Sequence, residues 1–327
     1  MNDIDMDYTT LGQTGLRVSV AGLGCGGNSR LGLTRGQSEA DCIAVVERAI
    51  DLGVNFFDTA EAYGTEAVVG KAMAGHPRDQ MVISTKARIV KGDELMRPPA
   101  VRESLEASLK RLQTDYVDVF HLHGVIASRY DYALHELYPE LDKAKAQGKI
   151  RHIGITEAAA QDATHDMLHR ATQSDPWEVV MFAFHMMSQN ARPLLLPTTQ
   201  ARGIGTLLMF VVRNIFSQPT YLHRVVEALR ASGDLSEAID PRAPFDFALG
   251  DGGAQSVVDA AYRFARHEPG ADVVLFGTGN VAHVEANVRS IVRPPLANDI
   301  TKMIYERFGH LVDVGLDAPQ RKPPPLR

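Results

Sequence analysis

The sequence contains very few cysteines, and this excludes several classes of protein. Its 327 residues include only Cys25 and Cys42, too few for a disulfide framework and not spaced like the ligands of a structural zinc site. The first ten residues, MNDIDMDYTT, are acidic and lack the apolar segment of a secretory signal. We therefore expect a cytoplasmic protein in which both thiols stay reduced.

Long apolar runs and basic clusters are missing as well. No apolar run reaches the roughly 18 residues of a transmembrane helix, so we expect no membrane span. The formal net charge is -6 and no cluster of Lys and Arg is interleaved with aromatic residues, so nucleic acid is not an expected partner. What is present is a 45% share of hydrophobic residues, enough to build the large core of one α/β barrel. The sequence indicates no particular oligomeric state.

Short apolar segments alternate with amphipathic helices along most of the chain. A hairpin over residues 8–20, with its turn at 12–15, precedes this repeat and is predicted to cap the bottom of a barrel. Alternating strands and helices imply parallel βαβ units, and eight of them close naturally into a (β/α)8 TIM barrel, here with extra C-terminal helices. A doubly wound open sheet is the alternative, although no GxGxxG motif opens the first βα turn. The predicted strands are 20–24, 54–57, 81–86, 116–123, 150–156, 178–185, 205–212 and 272–276.

The helical periodicity and its interruptions define the domain limits. Residues 1–318 are predicted to form a single barrel domain, and the proline-rich tail 319–327 is expected to be disordered. The polar stretch 232–253 is long for a connection in a compact domain, so we expect it either to close over a ligand or to be disordered. The predicted helices are 38–52, 65–74, 99–112, 134–147, 161–173, 191–201, 221–231, 254–267, 281–292 and 298–308.

Four reactive residues fall at or near the predicted carboxyl ends of consecutive strands, which share one face of a barrel. Asp58 ends the second strand with Tyr63 in the following loop, Lys86 ends the third, and His123 ends the fourth. A nearby ammonium lowers the pKa of a phenol, and Asp58 can hold Lys86 in place, although Asp58 could instead cap its own loop. Tyr63 can then donate a proton to a carbonyl oxygen, or remove one from an alcohol, while His123 orients the substrate. This proton chemistry lacks a hydride source, so a nicotinamide cofactor is expected.

Several stretches in this order resemble the aldo-keto reductase superfamily. They are GVNFFDTAEAYG, VISTK, DYVDVFHLH and GKIRHIGIT, and the likeness extends from TLGQTGLRVSVAGLG to the GTGN…EAN segment. Two of these stretches, DYVDVFHLH and GKIRHIGITE, look most like the branch that holds L-galactose dehydrogenase and related aldose dehydrogenases. The resemblance implies a catalytic tetrad of Asp58, Tyr63, Lys86 and His123. It also implies NAD(P)-dependent interconversion of an aldehyde, ketone or sugar hemiacetal with the corresponding alcohol or lactone.

The resemblance further implies contacts to NADP or NAD around the mouth of the barrel. A Ser-Asn pair, a Gln and an aromatic residue that are common in the family correspond here to Thr156 and Glu157, to Met181 and to Met209. His283 stands where an arginine often binds the 2′-phosphate of NADP, so either cofactor remains open. The predicted cofactor contacts are Gly26, Thr156, Glu157, Met181, Met209, Val212, Arg213, Gly277, Thr278, Gly279, Asn280, His283 and Asn287.

Two other functions are compatible with the sequence. A metal-dependent barrel hydrolase could use His121 and His123, which point to the same side of a strand, together with His185. A nicotinamide-binding regulatory protein without turnover would account for the altered cofactor positions. The reductase is the favoured interpretation because Tyr63 beside Lys86 has no purpose in a sensor, and we predict no metal site.

Overall fold

The computed structural model describes residues 4–92, 94–174, 176–250 and 253–316. Eight parallel strands in this part of the chain close into a barrel, each strand pairing with its neighbour in sequence. The predicted (β/α)8 fold is therefore confirmed. In chain order, the first to eighth barrel strands are Ala21–Gly24, Phe56–Asp58, Val82–Arg88, Val117–Val125, Ile150–Glu157, Val179–Ala183, Gly205–Met209 and Val273–Phe276.

The strands are apolar on both faces, because one face fills the barrel and the other is covered by helices. Val119 points into the barrel, where it packs with residues such as Phe56 and Leu207. Its neighbour Phe120 belongs to the layer between strands and helices. Burying a large apolar side chain stabilises the fold by about 1.5–3 kcal/mol. This two-sided burial explains why the strands read as continuous apolar runs rather than as alternating patterns.

The N-terminal hairpin closes the bottom of the barrel, as predicted. Its strands Tyr8–Thr10 and Arg17–Ser19 are antiparallel, and Leu11 and Leu16 are buried with the residues that fill the barrel. The backbone N–H of Gly12 donates to Asp272 just before the eighth strand, at 3.1 Å. A side chain at this glycine would collide with the backbone around residue 204, and its φ of +50° also favours glycine.

Helices surround the barrel, and most lie within one or two residues of the predicted positions. Ser38 begins the first helix because it exchanges capping hydrogen bonds with Asp41. Short 3₁₀ turns occur at Arg30–Arg35 and Glu61–Tyr63, and a small antiparallel ladder joins Val90–Lys91 to Glu94–Leu95. The helices are Glu39–Asp51, Glu66–Met73, Pro98–Leu112, Tyr130–Tyr132 with a π turn at Ala133–Leu137 leading into Tyr138–Ala146, Asp166–Ser174, Ala191–Leu194, Leu196–Arg202, Asn214–Ser217, Pro219–Ala231, Val257–Arg266, Val281–Ile291 and Asn298–Phe308.

The helix predicted from residue 161 begins five residues later, at Asp166. The carboxylate of Asp162 accepts hydrogen bonds from the N–H groups of Asp166 and Met167, at 2.8 and 2.9 Å. His165, which lies between Asp162 and Asp166, has a φ of +60°, a value that does not occur in an α-helix. The prediction was wrong here because the apolar spacing continues through a loop whose turn chemistry stops the helix.

The sixth and seventh strands end earlier than predicted. His185 lies beyond the sixth strand, in a tight turn that pairs with Ser188. The seventh strand ends at Met209 because Phe210 takes a left-handed backbone conformation, with φ at +67°. Val212 and Arg213 therefore lie in the loop that follows, not on the strand itself.

The polar stretch after the seventh strand is packed against the barrel through residue 250. Phe245 is fully buried and contacts Phe216, Phe247 and Phe308. These contacts anchor the described part of the stretch, which is therefore ordered, and its closure over a ligand stays a prediction. The tail at 319–327 lies outside the described residues, and the single-domain limit at 318 stays a prediction. No helix in the described ranges is long and apolar enough to cross a membrane.

Candidate active site

The four predicted catalytic residues meet near the carboxyl ends of the second to fourth strands. Lys86 and His123 do not end their strands as predicted, because the third strand continues to Arg88 and the fourth to Val125. The ammonium of Lys86 donates to both oxygens of Asp58 at 2.7 Å and to the carbonyl oxygen of Thr59 at 2.7 Å. These hydrogen bonds hold the ammonium against the Asp58 carboxylate. Tyr63 and His123 lie next to this pair, with the Tyr63 hydroxyl 3.5 Å from Nε2 of His123.

The Lys86–Asp58 ion pair is buried beneath the tyrosine and the histidine. Lys86 is 0% exposed and Asp58 is 3% exposed, whereas Tyr63 and His123 are partly exposed at the mouth. Burial alone would lower the pKa of Lys86, but the Asp58 carboxylate outweighs it and raises that pKa. Burial also raises the pKa of Asp58, opposed by Lys86 and by the hydroxyl of Ser84. The site thus holds a charged ammonium at neutral pH where solvent cannot screen it.

The phenol and the imidazole have the protonation states that a proton donor and an orienting group need. Burial raises the pKa of Tyr63, and the charge of Lys86 acts in the opposite direction. Burial and the nearby charges of Lys86 and Arg88 lower the pKa of His123 to about 3. At neutral pH Tyr63 therefore carries its proton, while His123 is neutral and can hydrogen-bond a bound oxygen.

Gly26 allows the tyrosine ring to occupy its position. A methyl group at Gly26 would lie 2.4 to 2.7 Å from three ring carbons of Tyr63. The backbone of Gly26 lies outside the left-handed region, so close approach of the ring, not backbone strain, requires glycine. The structure places this predicted cofactor contact directly against the predicted acid/base.

Replacing Gly26 with alanine is expected to displace the Tyr63 ring and to lower kcat by about 10- to 100-fold, because small misplacements of a reacting group are costly. The matched control is Gly24→Ala, whose methyl group would make only an ordinary contact, 3.4 Å from the carbonyl oxygen of Phe276. Steady-state kinetics of both variants test this expectation. Equal activity of the two would show that the ring does not need the space.

Thr156 supports the turn that carries His123. Its hydroxyl accepts a hydrogen bond from the N–H of Gly124 at 2.8 Å. Gly124 has a φ of +67°, and the pairing between the fourth and fifth strands shifts register between Leu122 and Val125. The hydroxyl proton of Thr156 is not used in this bond, so it can still be donated to a ligand.

Glu157 is held inside the protein by both of its carboxylate oxygens. One oxygen accepts from the N–H of Ala183 at 2.9 Å, and the other contacts Nδ1 of His165 at 2.6 Å. Neither the Glu157 nor the His165 side chain is exposed. This carboxylate therefore joins the ends of the fifth and sixth strands to the loop before Asp166.

The Glu157–His165 pair is expected to make stability depend on pH. Burial alone would lower the pKa of His165, but the adjacent Glu157 raises it above its ordinary 6.5. Burial likewise raises the pKa of Glu157. The folded protein thus holds protons that the unfolded chain releases, so the free energy of unfolding falls as pH rises from 6.5 through the raised pKa of His165.

The contribution of this pair to stability is measured by thermal unfolding of the wild type and of the double variant Glu157→Gln/His165→Gln. The two proteins are compared between about pH 6 and about pH 9. We expect the difference in stability between the two proteins to shrink as pH rises. The buried His121, His123 and His185 have lowered pKa values in the fold and titrate in this range only in the unfolded chain, and because both proteins contain them their contribution cancels from the difference. A difference independent of pH would contradict the assignment.

The two methionines at predicted nicotinamide positions lie at different depths. Met181 is buried with the apolar residues that fill the barrel. Met209 is partly exposed and packs against a small apolar cluster that includes Ala183, Phe210 and Leu316. Of the two, only Met209 is placed at the mouth, where a ligand can reach it.

The predicted phosphate-binding segment leads into a helix, as expected. Thr278 accepts a hydrogen bond from the N–H of Asn280 at 3.1 Å, and Asn280 caps the helix by accepting from Ala282 at 2.9 Å. Gly277 is exposed, whereas a methyl group at Gly279 would lie 2.6 Å from the backbone of the loop after the first strand.

The remaining predicted cofactor contacts lie on the rim. His283 is exposed on the first turn of this helix, and Asn287 is half-buried one turn later. Val212 and Arg213 are half-buried, and the guanidinium of Arg213 lies 4.1 Å from the centre of the Phe210 ring. The predicted contacts other than Met181 thus lie at or beyond the carboxyl ends of the strands, although Thr156, Glu157 and Thr278 are buried there.

The three histidines of the alternative metal site do not gather. His121 is buried and faces the hydroxyl of Ser84 at 3.1 Å, while His123 faces Tyr63. Nδ1 of His185 accepts a hydrogen bond from the N–H of Met187 at 3.2 Å. Within the part of the chain that the structure describes, no three side chains of His, Cys, Asp or Glu form a group that could hold a metal ion.

Sequence reasoning missed several residues that shape this site. Ser84 donates to Asp58 at 2.9 Å, and His165 holds Glu157. Ser84 could have been found, because it precedes Lys86 by two residues on the same strand and therefore shares its face. His165 follows a loop turn and no local signal places it beside Glu157.

Fold and site together define a class of protein. A parallel barrel carries a phenol and a neutral imidazole at its mouth, above a buried ammonium–carboxylate pair, which is an arrangement suited to proton transfer with a carbonyl or an alcohol. The chain belongs to the aldo/keto reductase family, whose family model matches residues 22–306. This confirms the family predicted from the sequence and supports the predicted class of NAD(P)-dependent oxidoreductase.

Curated relatives are similar over part of their length. L-galactose dehydrogenase of Arabidopsis thaliana is 34% identical over 208 residues, which are 62% of this chain and 64% of that protein. A probable aldo-keto reductase 1 of Glycine max is 32% identical over 217 residues, 63% of this chain and 59% of that protein. The matches thus span less than two thirds of either relative.

Solved structures share the fold over nearly the whole chain. An aldo-keto reductase of Bacillus halodurans in its holo form has a TM-score of 0.71 at 22% identity, covering 96% of this chain and all 100% of that one. A putative aldo-keto reductase from Pseudomonas aeruginosa has a TM-score of 0.60 at 25% identity, covering 87% of this chain and 93% of that one.

Proposed function

We propose that this protein is an NAD(P)-dependent oxidoreductase that interconverts a carbonyl compound and its alcohol, with Tyr63 as the general acid and base. One observation carries the proposal: the Tyr63 hydroxyl lies 3.5 Å from Nε2 of His123, beside a lysine whose ammonium is buried against Asp58. A hydroxyl and an imidazole this close can bind one substrate oxygen between them.

Each member of the tetrad has a separate task. Tyr63 transfers the proton to or from the substrate oxygen, and neutral His123 orients that oxygen. Lys86 stabilises the phenolate that forms when Tyr63 gives up its proton, because an unscreened positive charge nearby favours the anion. Asp58 keeps Lys86 charged and in place. The ammonium of Lys86 lies 5.1 Å from the centre of the Tyr63 ring.

The residues at the mouth fit a nicotinamide dinucleotide. The exposed Gly277 leaves room for a ligand beside a capped helix start, and such a start favours phosphate oxygens. Gly26, Thr156, Met209, Val212 and Arg213 would line the rest of its path. When bound, the cofactor would supply or accept the hydride.

The adenosine end would lie against Thr278, Gly279, Asn280, His283 and Asn287. His283 offers a weaker partner for a 2′-phosphate than an arginine fork, so the protein can use NAD as well as NADP. For the substrate, similarity to a protein named L-galactose dehydrogenase supports a sugar hemiacetal that is oxidised to a lactone.

The test is titration of the purified protein with NADPH and with NADH, followed by turnover on a panel of aldoses, aldehydes and ketones. The sole tryptophan, Trp177, lies just before the sixth strand, where it is buried and donates a hydrogen bond to the Tyr130 hydroxyl. The fluorescence of the reduced nicotinamide is therefore a better readout of binding than that of the protein. Binding with turnover supports the proposal, and the ratio of the two affinities measures how well His283 replaces arginine.

Two other outcomes are informative. Binding without turnover on the whole panel would favour a regulatory protein that senses nicotinamide. Failure to bind either cofactor in either oxidation state would overturn the oxidoreductase proposal.

A further inference from the structure

A hydrogen-bonded chain continues behind the tetrad, from Asp58 through Ser84 to His121. The Ser84 hydroxyl donates to Oδ1 of Asp58 at 2.9 Å, and Nε2 of His121 lies 3.1 Å from the same hydroxyl oxygen. Both Ser84 and His121 are fully buried. Neither residue touches the mouth of the barrel, so they can act only through Asp58.

The directions of these hydrogen bonds follow from proton counting. An ionised carboxylate only accepts, so the single Ser84 proton is given to Asp58. Ser84 must then accept from His121, which requires that Nε2 carries the proton of the imidazole. Burial and the nearby charge of Lys86 hold the pKa of His121 well below its usual value, so the ring is neutral, with one proton.

A glycine fixes the orientation of the His121 ring. Nδ1 of His121 is buried and makes no hydrogen bond, and a methyl group at Gly154 would lie only 2.3 Å from it. The ring thus fills a slot that only a glycine on the neighbouring strand leaves open. Packing against Gly154 and the hydrogen bond at Nε2 together hold the ring in one orientation.

We propose that His121 is a positioning residue for the reaction: through Ser84 it orients the Asp58 carboxylate and so sets how strongly Lys86 acts on Tyr63. This inference rests on the proposed role of Tyr63 as the acid and base. Without the His121 donor, the Ser84 proton is free to turn away from Asp58. Asp58 then neutralises more of the Lys86 charge, and the phenolate of Tyr63 is less stabilised.

The charged groups around the tyrosine are the same in every variant of the test. Tyr63 is faced by Lys86, Asp58 and Arg88, with neutral His123 at its edge. Lys86 is faced by Asp58, by Tyr63 and by the buried thiol of Cys25. A change in the pH–rate profile when His121 is replaced therefore reports the effect of the hydrogen bonds that join His121 to Asp58 through Ser84.

The experiment compares His121→Leu, His121→Gln, Ser84→Ala and the double variant His121→Leu/Ser84→Ala. We expect His121→Leu to lower kcat about tenfold, the upper end of what one hydrogen bond between neutral groups contributes, with cofactor affinity and KM nearly unchanged. The alkaline limb of the pH–rate profile should move to higher pH. His121→Gln should restore most of the rate, because its amide can donate to Ser84 from a similar position.

The double variant decides whether the two residues act as one unit. We expect it to be no slower than Ser84→Ala alone. Additive losses, an unmoved pH profile, or equal rates for the Leu and Gln variants would overturn the inference and leave His121 a packing residue. If His121→Leu does not fold, Ser84→Ala and His121→Gln still give the pH profile. Full turnover in Tyr63→Phe would instead refute the proposed function.

Discussion

Tyr63→Phe is expected to lower turnover by about 10²- to 10⁴-fold while leaving cofactor affinity nearly unchanged, because it removes only the hydroxyl that we propose as the proton donor. Phenylalanine keeps the ring that packs against Gly26 and that meets the His123 ring edge-on at 5.6 Å. The fold and the orientation of His123 should therefore survive. Single-turnover kinetics with the reduced cofactor separate the chemical step from binding.

Two controls make this result specific. Titration with NADPH and NADH should give the same affinities as the wild type, and thermal unfolding should show no large loss. His123→Asn should lower kcat less than Tyr63→Phe does, because the proton donor remains and only the orientation of the substrate suffers. A Tyr63→Phe enzyme that turns over at the wild-type rate would show that another group transfers the proton.

Lys86→Met is expected to abolish measurable turnover and to destabilise the fold by about 3–5 kcal/mol, the cost of leaving a buried charge without its partner. Lys86 is fully buried, and among the described residues the Asp58 carboxylate has only one other side-chain hydrogen-bond donor, the hydroxyl of Ser84. Denaturant unfolding gives the stability and steady-state assays give the rate.

The matched control is Lys86→Met/Asp58→Asn, which removes both charges. We expect it to recover much of the lost stability, because replacing both members of a buried pair avoids the uncompensated carboxylate. It should not recover turnover, since the charge that stabilises the Tyr63 phenolate is still missing. Recovery of both properties would show that Lys86 has only a structural role.

Glu157 is a predicted cofactor contact whose carboxylate is bound within the protein. Its two oxygens bind the Ala183 N–H and His165, so its carboxylate is occupied within the protein. The hydroxyl of Thr156 keeps a free proton for a ligand, although its oxygen already accepts from Gly124. Cofactor affinity in this protein should therefore depend on Thr156 more than on Glu157.

The fold and the tetrad could be predicted because both follow from local pattern. Runs of apolar residues at strand length alternate with helical periodicity, and parallel strands that are buried on both faces close into a barrel. The carboxyl ends of these strands share one face, so Asp58 at the end of its strand lies near Lys86 and His123, which each precede the end of their strand by two residues. Tyr63 joins them because it lies on the short turn directly after Asp58.

The ends of the elements were harder to predict, because single residues with unusual backbone conformations decide them. Phe210 and His165 both take positive φ values, which hydrophobic periodicity does not reveal. The conformation of Phe210 ends the seventh strand early, and that of His165 keeps the next helix from starting before Asp166. Each conformation is stabilised by its surroundings in the folded protein rather than by the residue type.

The sequence by itself thus determined the barrel, the family and the four residues of the proposed tetrad. Only the tertiary structure decided what supports them: His121 behind Ser84, Gly26 against the Tyr63 ring, and His165 on Glu157. These contacts join residues whose pairing leaves no local signature, because a histidine or a glycine in a strand or loop has many possible partners. Close packing of the folded barrel selects one of them.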